Sequence, residues 1–298
     1  MLGFAEHKQQ VIELKGEKIW HSLCWLSIAI LRAFILLETF MKKLVHALVL
    51  TGLVGMPTAA MAAEESPHSL SANVGLYSDY VFRGISQTGG EPAIQGGLDY
   101  SHSSGFYLGT WASNVGWLED FQGYDKGNVE IDVYGGFRGD IGGTGLTFDL
   151  GAIQYMYPGD RPANITDADT SELYAALGWK WFTVKYSYYI SDEVFGFANA
   201  DGSDYLAISA SVPVGETGLT LGASWGTFSF DNNSAQDYDD WKISAAYDMG
   251  KLTPVMDGVT IGVAYTDTDA NPANWTESAP NSEFLGDSTT TVWISKAF

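Results

Sequence analysis

Carboxylates supply most of the chemistry open to this chain. Asp79, Asp99, Glu130, Asp132, Asp149, Glu172 and Asp248 share one phase of a period-two alternation with Arg138, Lys185 and Lys242. Two arrangements of this set can be drawn. Along a water-filled path, seven acids against three bases give a negative field that favours cations. Paired across strands, the same groups plug a narrow lumen. Gly75, Gly97, Gly136, Gly151, Gly222 and Gly262 also fall on this phase, leave room, and favour the open path. The expected pore-lining set is therefore Asp79, Asp99, Glu130, Asp132, Arg138, Asp149, Lys185 and Lys242.

Other chemistries have little to work with. His68 and His102 are the histidines that follow residue 63. A lipid-modifying barrel enzyme needs a Ser/His pair near the outer leaflet, and His102 falls at the opposite end, so two surface histidines are expected. Asp167-x-Asp169 and Asp267-x-Asp269 set paired carboxylates in loops, where they could supply some of the several oxygen ligands that Ca²⁺ takes. Neither continues into the Asp-x-Asp-x-Asp-Gly pattern, so solvated acidic loops are expected. Gly142-Gly143-Thr144-Gly145 lacks a following Lys and reads as a turn. Cys24 is the single cysteine, which excludes a disulfide framework. No catalytic residue, metal or cofactor is expected. The formal net charge of −21, from 15 basic and 36 acidic residues, argues against nucleic acid as a partner.

The positioning elements are strands. Leu146, Phe148, Leu150 and Ala152 alternate with Thr147, Asp149 and Gly151, and Leu219, Leu221, Ala223 and Trp225 with Thr220, Gly222 and Ser224. The pattern predicts twelve strands, over 70–82, 93–102, 106–113, 129–139, 146–157, 171–179, 182–190, 203–213, 219–230, 239–248, 259–267 and 289–298. Most are longer than sandwich strands and suit a tilted crossing of a bilayer. Connections after even-numbered strands are mostly short. Those after odd-numbered ones (83–92, 114–128, 158–170, 191–202, 231–238 and 268–288) are mostly longer and hold 16 acidic and 3 basic residues. Short turns alternating with long loops predict an all-β, transmembrane, antiparallel up-and-down β-barrel, with outer-membrane lipid around it. Tyr80, Phe82, Trp179, Trp181, Phe182, Tyr188, Trp225, Phe228, Phe230, Trp241 and Tyr247 lie near strand ends, where interfacial girdles sit.

The N-terminus divides in two. Met41-Lys42-Lys43, the apolar run from Leu44 to Met61 and Ala60-Met61-Ala62-Ala63 form a Sec-type signal peptide over 41–63. Trp20 to Phe40 is apolar but carries Arg32, which is costly inside a bilayer. Residues 1–40 are best read as an upstream mis-called start, the other reading being a membrane anchor. The barrel is expected over 64–298. With the 6 basic and 4 acidic residues before Glu64 set aside, 9 basic and 32 acidic residues remain.

The chain closes on Thr289-Thr290-Thr291-Val292-Trp293-Ile294-Ser295-Lys296-Ala297-Phe298. A last alternating strand ending in an aromatic resembles the signal read by the barrel-assembly machinery, with Phe298 as its key residue. Lys296 departs from that pattern, and its stem can snorkel. The stretch from Asn73 to Thr88, Ala93 to Tyr100 and Gly105 to Val115 resembles the TorF family of porin-like proteobacterial outer-membrane proteins. Asp132-Val133-Tyr134-Gly135-Gly136 and Tyr155-Met156-Tyr157-Pro158-Gly159 follow in the order that family shows. The resemblance implies a Gram-negative outer-membrane barrel with a transport role. It supplies no catalytic residues and no defined substrate. The expected function is a porin-like channel for small solutes, cation-preferring or neutral. The alternative is a closed structural or adhesive barrel with acidic ion-binding loops.

Overall fold

The computed structural model describes residues 66–298. The expectations for residues 1–40 and 41–63 lie outside the described residues. The strands are β1 (His68–Tyr77), β2 (Val81–Phe82), β3 (Ile85–Ser86), β4 (Ala93–His102), β5 (Phe106–Asn114), β6 (Val129–Asp140) and β7 (Leu146–Met156). They continue as β8 (Thr170–Trp179), β9 (Phe182–Tyr189), β10 (Asp204–Pro213), β11 (Leu219–Ser229), β12 (Tyr238–Asp248), β13 (Val259–Thr268) and β14 (Thr289–Ala297). All but β2 and β3 form one closed antiparallel barrel, in which each strand neighbours the next in sequence. It closes where β1 pairs with β14 on one side and β4 on the other, as in Asn73↔Ala297 and Asn73↔Gly97. Closure satisfies every strand's backbone hydrogen bonds and leaves no edge.

Alternation sorts the faces. Ile94, Leu150, Leu177, Ile243 and Val292 project outward and are all more than half exposed. Glu130, Asp132, Glu172, Ser187 and Asp240 point inward and are buried. This inverts a water-soluble fold, in which so continuous an apolar exterior would not persist. Trp179, Trp181, Phe182, Tyr188, Trp225 and Trp241 stand on the outer surface as expected of girdle residues. Tyr80, Phe228 and Phe230 do not, being buried, and Phe82 packs against the same internal cluster. Phe228 occupies the inward phase of its strand, shared with Gly222, Ser224 and Gly226, so proximity to a strand end misassigns it.

The first strand also requires correction. It ends at Tyr77 rather than 82, and residues 78–92 turn inward, with β2 and β3 pairing as a small hairpin. The inward glycines do not leave open space either. A Cβ on Gly151 would lie 2.5 Å from the Tyr174 hydroxyl, one on Gly109 2.4 Å from the Tyr134 ring, and one on Gly262 2.1 Å from Trp293. Gly136 and Gly226 similarly receive Tyr107 and Tyr205. Each of these five glycines is the seat for an aromatic ring from a neighbouring strand, while Gly222 meets Ser244 and Gly97 the Thr110 carbonyl. The rings thus lie along the barrel wall. At the far end, the Lys296 amine donates to the Asp257 carbonyl, which answers that residue's departure from the apolar pattern.

Candidate functional site: a lumen closed from the loop side

The inserted hairpin is built by its turn. Phe82 pairs with Ile85 across Arg83-Gly84, and both turn residues have positive φ, 47° and 85°. Two residues of positive φ match the twist of a two-residue hairpin. Gly84 is required twice over, because a Cβ there would lie 2.5 Å from Thr268 Cγ2 and 2.6 Å from Asp240 Cβ. Arg83 holds an uncommon conformation for its residue type, and its side chain shows what holds it there. Its Nη2 donates to Glu172 Oε2 at 2.6 Å and to Ser187 Oγ at 3.3 Å, while Nη1 donates to the Tyr189 hydroxyl. The guanidinium carbon lies 4.2 Å from the Tyr205 ring centroid, a cation–π distance. Lys185 Nζ sits 3.4 Å from the other Glu172 oxygen. Glu172 is fully buried and therefore depends on these two cations.

The rest of the segment is pinned from within. Asp79 accepts from Ser86 Oγ at 2.7 Å and Thr88 Oγ1 at 2.9 Å. The Tyr80 hydroxyl donates to Glu130 Oε1 at 2.8 Å, and the Tyr205 hydroxyl to Asp240 Oδ2 at 2.7 Å. Asp132 is 6% exposed and its Oδ1 has no hydrogen-bond partner among the described residues. Above the hairpin, Trp117, Leu118, Phe195, Phe197, Phe230 and Trp275 join Tyr80, Ile85 and Phe228 in one apolar cluster. The long loops thereby cover the lumen with an aromatic cap.

Elsewhere the lumen stays polar and open. Tyr134 donates to Asp99 Oδ1 at 2.5 Å and Tyr107 to Asp149 Oδ1 at 2.6 Å, with Tyr174 bonded to Tyr107. Arg138 stacks over the Tyr107 ring at 4.9 Å. A space of about 440 Å³ lies beside Arg138, Thr147, Asp149 and Thr183 near the short turns. A second space of about 340 Å³ lies beside the hairpin, lined by Asp79, Gln95, Lys242, Ser244, Thr266 and Thr291.

Residues 61–298 match a family described as a bacterial protein of unknown function, Gcw_chp. The chain belongs to this family. No curated protein sequence matches it. Among solved structures, the Gcw_chp chain is similar to the KdgM porin, with 8% identity over 76% of this chain and 99% of that one (TM-score 0.46). It is similar to the NanC porin at 13% identity over 77% and 99% (TM-score 0.47), and to OccD1 (OprD) at 13% over 80% and 67% (TM-score 0.39).

The expected lining residues scatter over this lumen. Asp99, Asp149 and Arg138 lie toward the short turns. Glu130, Asp132 and Lys185 line the wall that the hairpin meets, and Lys242 faces the second open space. Asp79 is not on a strand. It is a buried acceptor inside the inserted segment. Sequence reasoning missed Arg83, Tyr189, Tyr205 and Asp240. Asp240 was visible as the inward neighbour of Lys242, two residues away on one strand. Arg83 gave a weaker sign, as a cation followed by Gly84 at the head of an acidic loop set. His68 and His102 meet at the turn end, rings 5.1 Å apart, far in the pattern from any loop-side serine.

Proposed function

We propose that this chain is a porin-like barrel of the Gram-negative outer membrane that passes small solutes, cations or neutral molecules, without catalysis. The observation that carries this reading is an apolar exterior around a polar, partly open lumen whose open spaces are lined by charged groups such as Arg138, Asp149 and Lys242. The TorF resemblance of residues 73–88, 93–100 and 105–115 supports the same role. Insertion would proceed by export through the 41–63 signal and recognition of the Phe298-terminated strand by the barrel-assembly machinery. The wall acids would give the path its cation preference.

The inserted hairpin and aromatic cap favour a second reading, a closed structural or adhesive barrel whose acidic loops bind ions or partners. Conductance and reversal potential of purified protein in planar bilayers under a salt gradient decide between them. Discrete conductance with a cation-selective potential supports the channel. Silent insertion of heat-modifiable protein supports the closed barrel. Recovery in the soluble periplasmic fraction would overturn the membrane assignment altogether.

A further inference from the structure

Of the three basic residues in the long loops, Arg83 points into the lumen, while Lys126 and Arg161 lie together at the loop ends of β6 and β7. The two loops that carry them are tied to each other. Asp160 N–H donates to the Lys126 carbonyl at 2.8 Å, and Ala168 N–H donates to the Tyr124 hydroxyl at 3.0 Å. Gly159 permits this approach, since a Cβ there would lie 2.1 Å from the Lys126 carbonyl oxygen. Beside the tie lies a groove of about 520 Å³. Ile131 and Met156 form one side of it. They are cross-strand partners on the outward phase of β6 and β7, so the groove continues the apolar outer wall. Tyr124, Arg161, Asp167 and Asp169 lie on the other side.

The polar side is arranged in advance. Arg161 Nη1 donates to the Ile165 carbonyl at 2.6 Å, and Nη2 lies 3.2 Å from Asp167 Oδ2. These contacts orient the guanidinium and leave other N–H groups of its fork without a partner among the described residues. Asp169 Oδ1 accepts from Tyr157 N–H at 2.7 Å, and its second oxygen has no hydrogen-bond partner among the described residues. Partial burial, with Asp167 alongside, holds the Asp169 carboxyl above the usual carboxylate range, although Tyr157 N–H and Arg161 act the other way. The groove thus offers a guanidinium to an anion and a carboxylate that is short of positive charge. One base against two acids disfavours a lone phosphate. A headgroup that also carries an ammonium matches both signs.

We infer that this groove holds a membrane lipid whose headgroup carries a phosphate and a primary amine. The phosphate lies on Arg161, the ammonium on Asp169, and an acyl chain along Ile131 and Met156. The inference rests on the membrane reading, because the apolar side of the groove belongs to the wall that would meet lipid. It does not require that the barrel conduct.

The test uses full-length processed protein, extracted from outer membranes, delipidated in detergent and still heat-modifiable. Single lipids are added and read by native mass spectrometry. The probes are dimyristoyl phosphatidylethanolamine and the phosphatidylglycerol with the same chains, with free phosphoethanolamine as competitor. Saturable binding of one ethanolamine lipid is expected, about threefold to tenfold tighter than the glycerol lipid, the range one hydrogen bond spans. Free phosphoethanolamine at matched concentration should not displace it, because it has no chain to lie on the apolar side. Asp169→Asn keeps an acceptor for Tyr157 N–H and removes the charge. It should bring the ethanolamine lipid down to the level of the glycerol lipid without weakening the latter, whereas Arg161→Gln should weaken both. Should Arg161→Gln fail to assemble, Asp169→Asn decides alone. Equal affinity for the two lipids, displacement by the free headgroup, or ethanolamine-lipid binding unaltered in Asp169→Asn overturns the assignment. A heat-modifiable barrel without lipid preference sinks this inference and leaves the membrane reading standing, whereas recovery in the soluble periplasmic fraction sinks both.

Discussion

Arg83 is the residue on which the closed lumen turns. It is the cation of an otherwise neutral hairpin tip, and it meets a carboxylate that has no access to water. Removing one partner of such a pair leaves an uncompensated buried charge. Arg83→Ser is therefore expected to destabilise the closed form by about 3 kcal/mol, tempered by Lys185, and to raise single-channel conductance over wild type. Adding Glu172→Gln removes the stranded charge. The double variant should recover most of the lost thermal stability, read from the heat-modifiable gel shift, while remaining conductive. Equal stability in the two variants would show that the ion pair does not hold the hairpin. Glu130 and Asp132 make a separate residue-scale case, since both line the same inner wall two positions apart. Glu130→Gln with Asp132→Asn is expected to lower cation preference in reversal-potential measurements without loss of assembly. An unchanged potential would place these acids off the permeation path.

At the scale of elements, strands are coupled through rings seated over glycines. Tyr174 covers Gly151 on the adjoining strand, and Trp293 covers Gly262 likewise. A side chain at the glycine must displace the ring, because the barrel wall behind it is hydrogen-bonded backbone. Gly151→Val is expected to cost roughly 1–3 kcal/mol by overpacking, seen as a lower midpoint in the heat-modifiable shift. The outer phase of the same strand tests the membrane assignment. Leu150 lies near mid-strand and is 53% exposed. Leu150→Arg should cost roughly 2–4 kcal/mol in lipid and reduce assembly in liposomes. Ile131, third in its strand, lies nearer the rim, where the same change should cost less. Normal assembly of the Leu150 variant would show that this face does not meet hydrocarbon.

For the whole molecule, the loop end balances apolar packing against like charge. Burial, with Asp120 and Glu283 nearby, pushes the Glu277 carboxyl above the usual carboxylate range. Because the folded state then holds this proton more tightly than the unfolded chain, the contribution of Glu277 to closure of the loops is greatest at acid pH. It weakens as pH rises from about 4.3, the ordinary glutamate value, through the raised folded value. Glu277→Gln should remove this component and slow protease nicking of the loops at pH 8 relative to wild type, with little difference at pH 4.5. Nicking rates that fall with rising pH in wild type would contradict the sign.

The sequence alone determined the barrel. A side-chain period of two, kept over strand after strand, fixes which residues face in and out, and alternating loop lengths fix an up-and-down order. Those are local signals, so twelve barrel strands and the inward placement of Glu130, Asp132, Asp149 and Lys185 were legible. The tertiary structure alone decided what fills the lumen. Gly136 and Gly151 read as empty space because sequence cannot place Tyr107 and Tyr174 over them from neighbouring strands. Arg83 and Glu172 are 89 residues apart, and nothing local to either announces the other. The insertion of residues 78–92 depends on a turn with positive φ, on a cavity of matching size, and on a buried carboxylate in need of a cation. The cavity and the buried carboxylate exist only after the barrel has closed, and so they belong to the fold and not to the pattern that produces it.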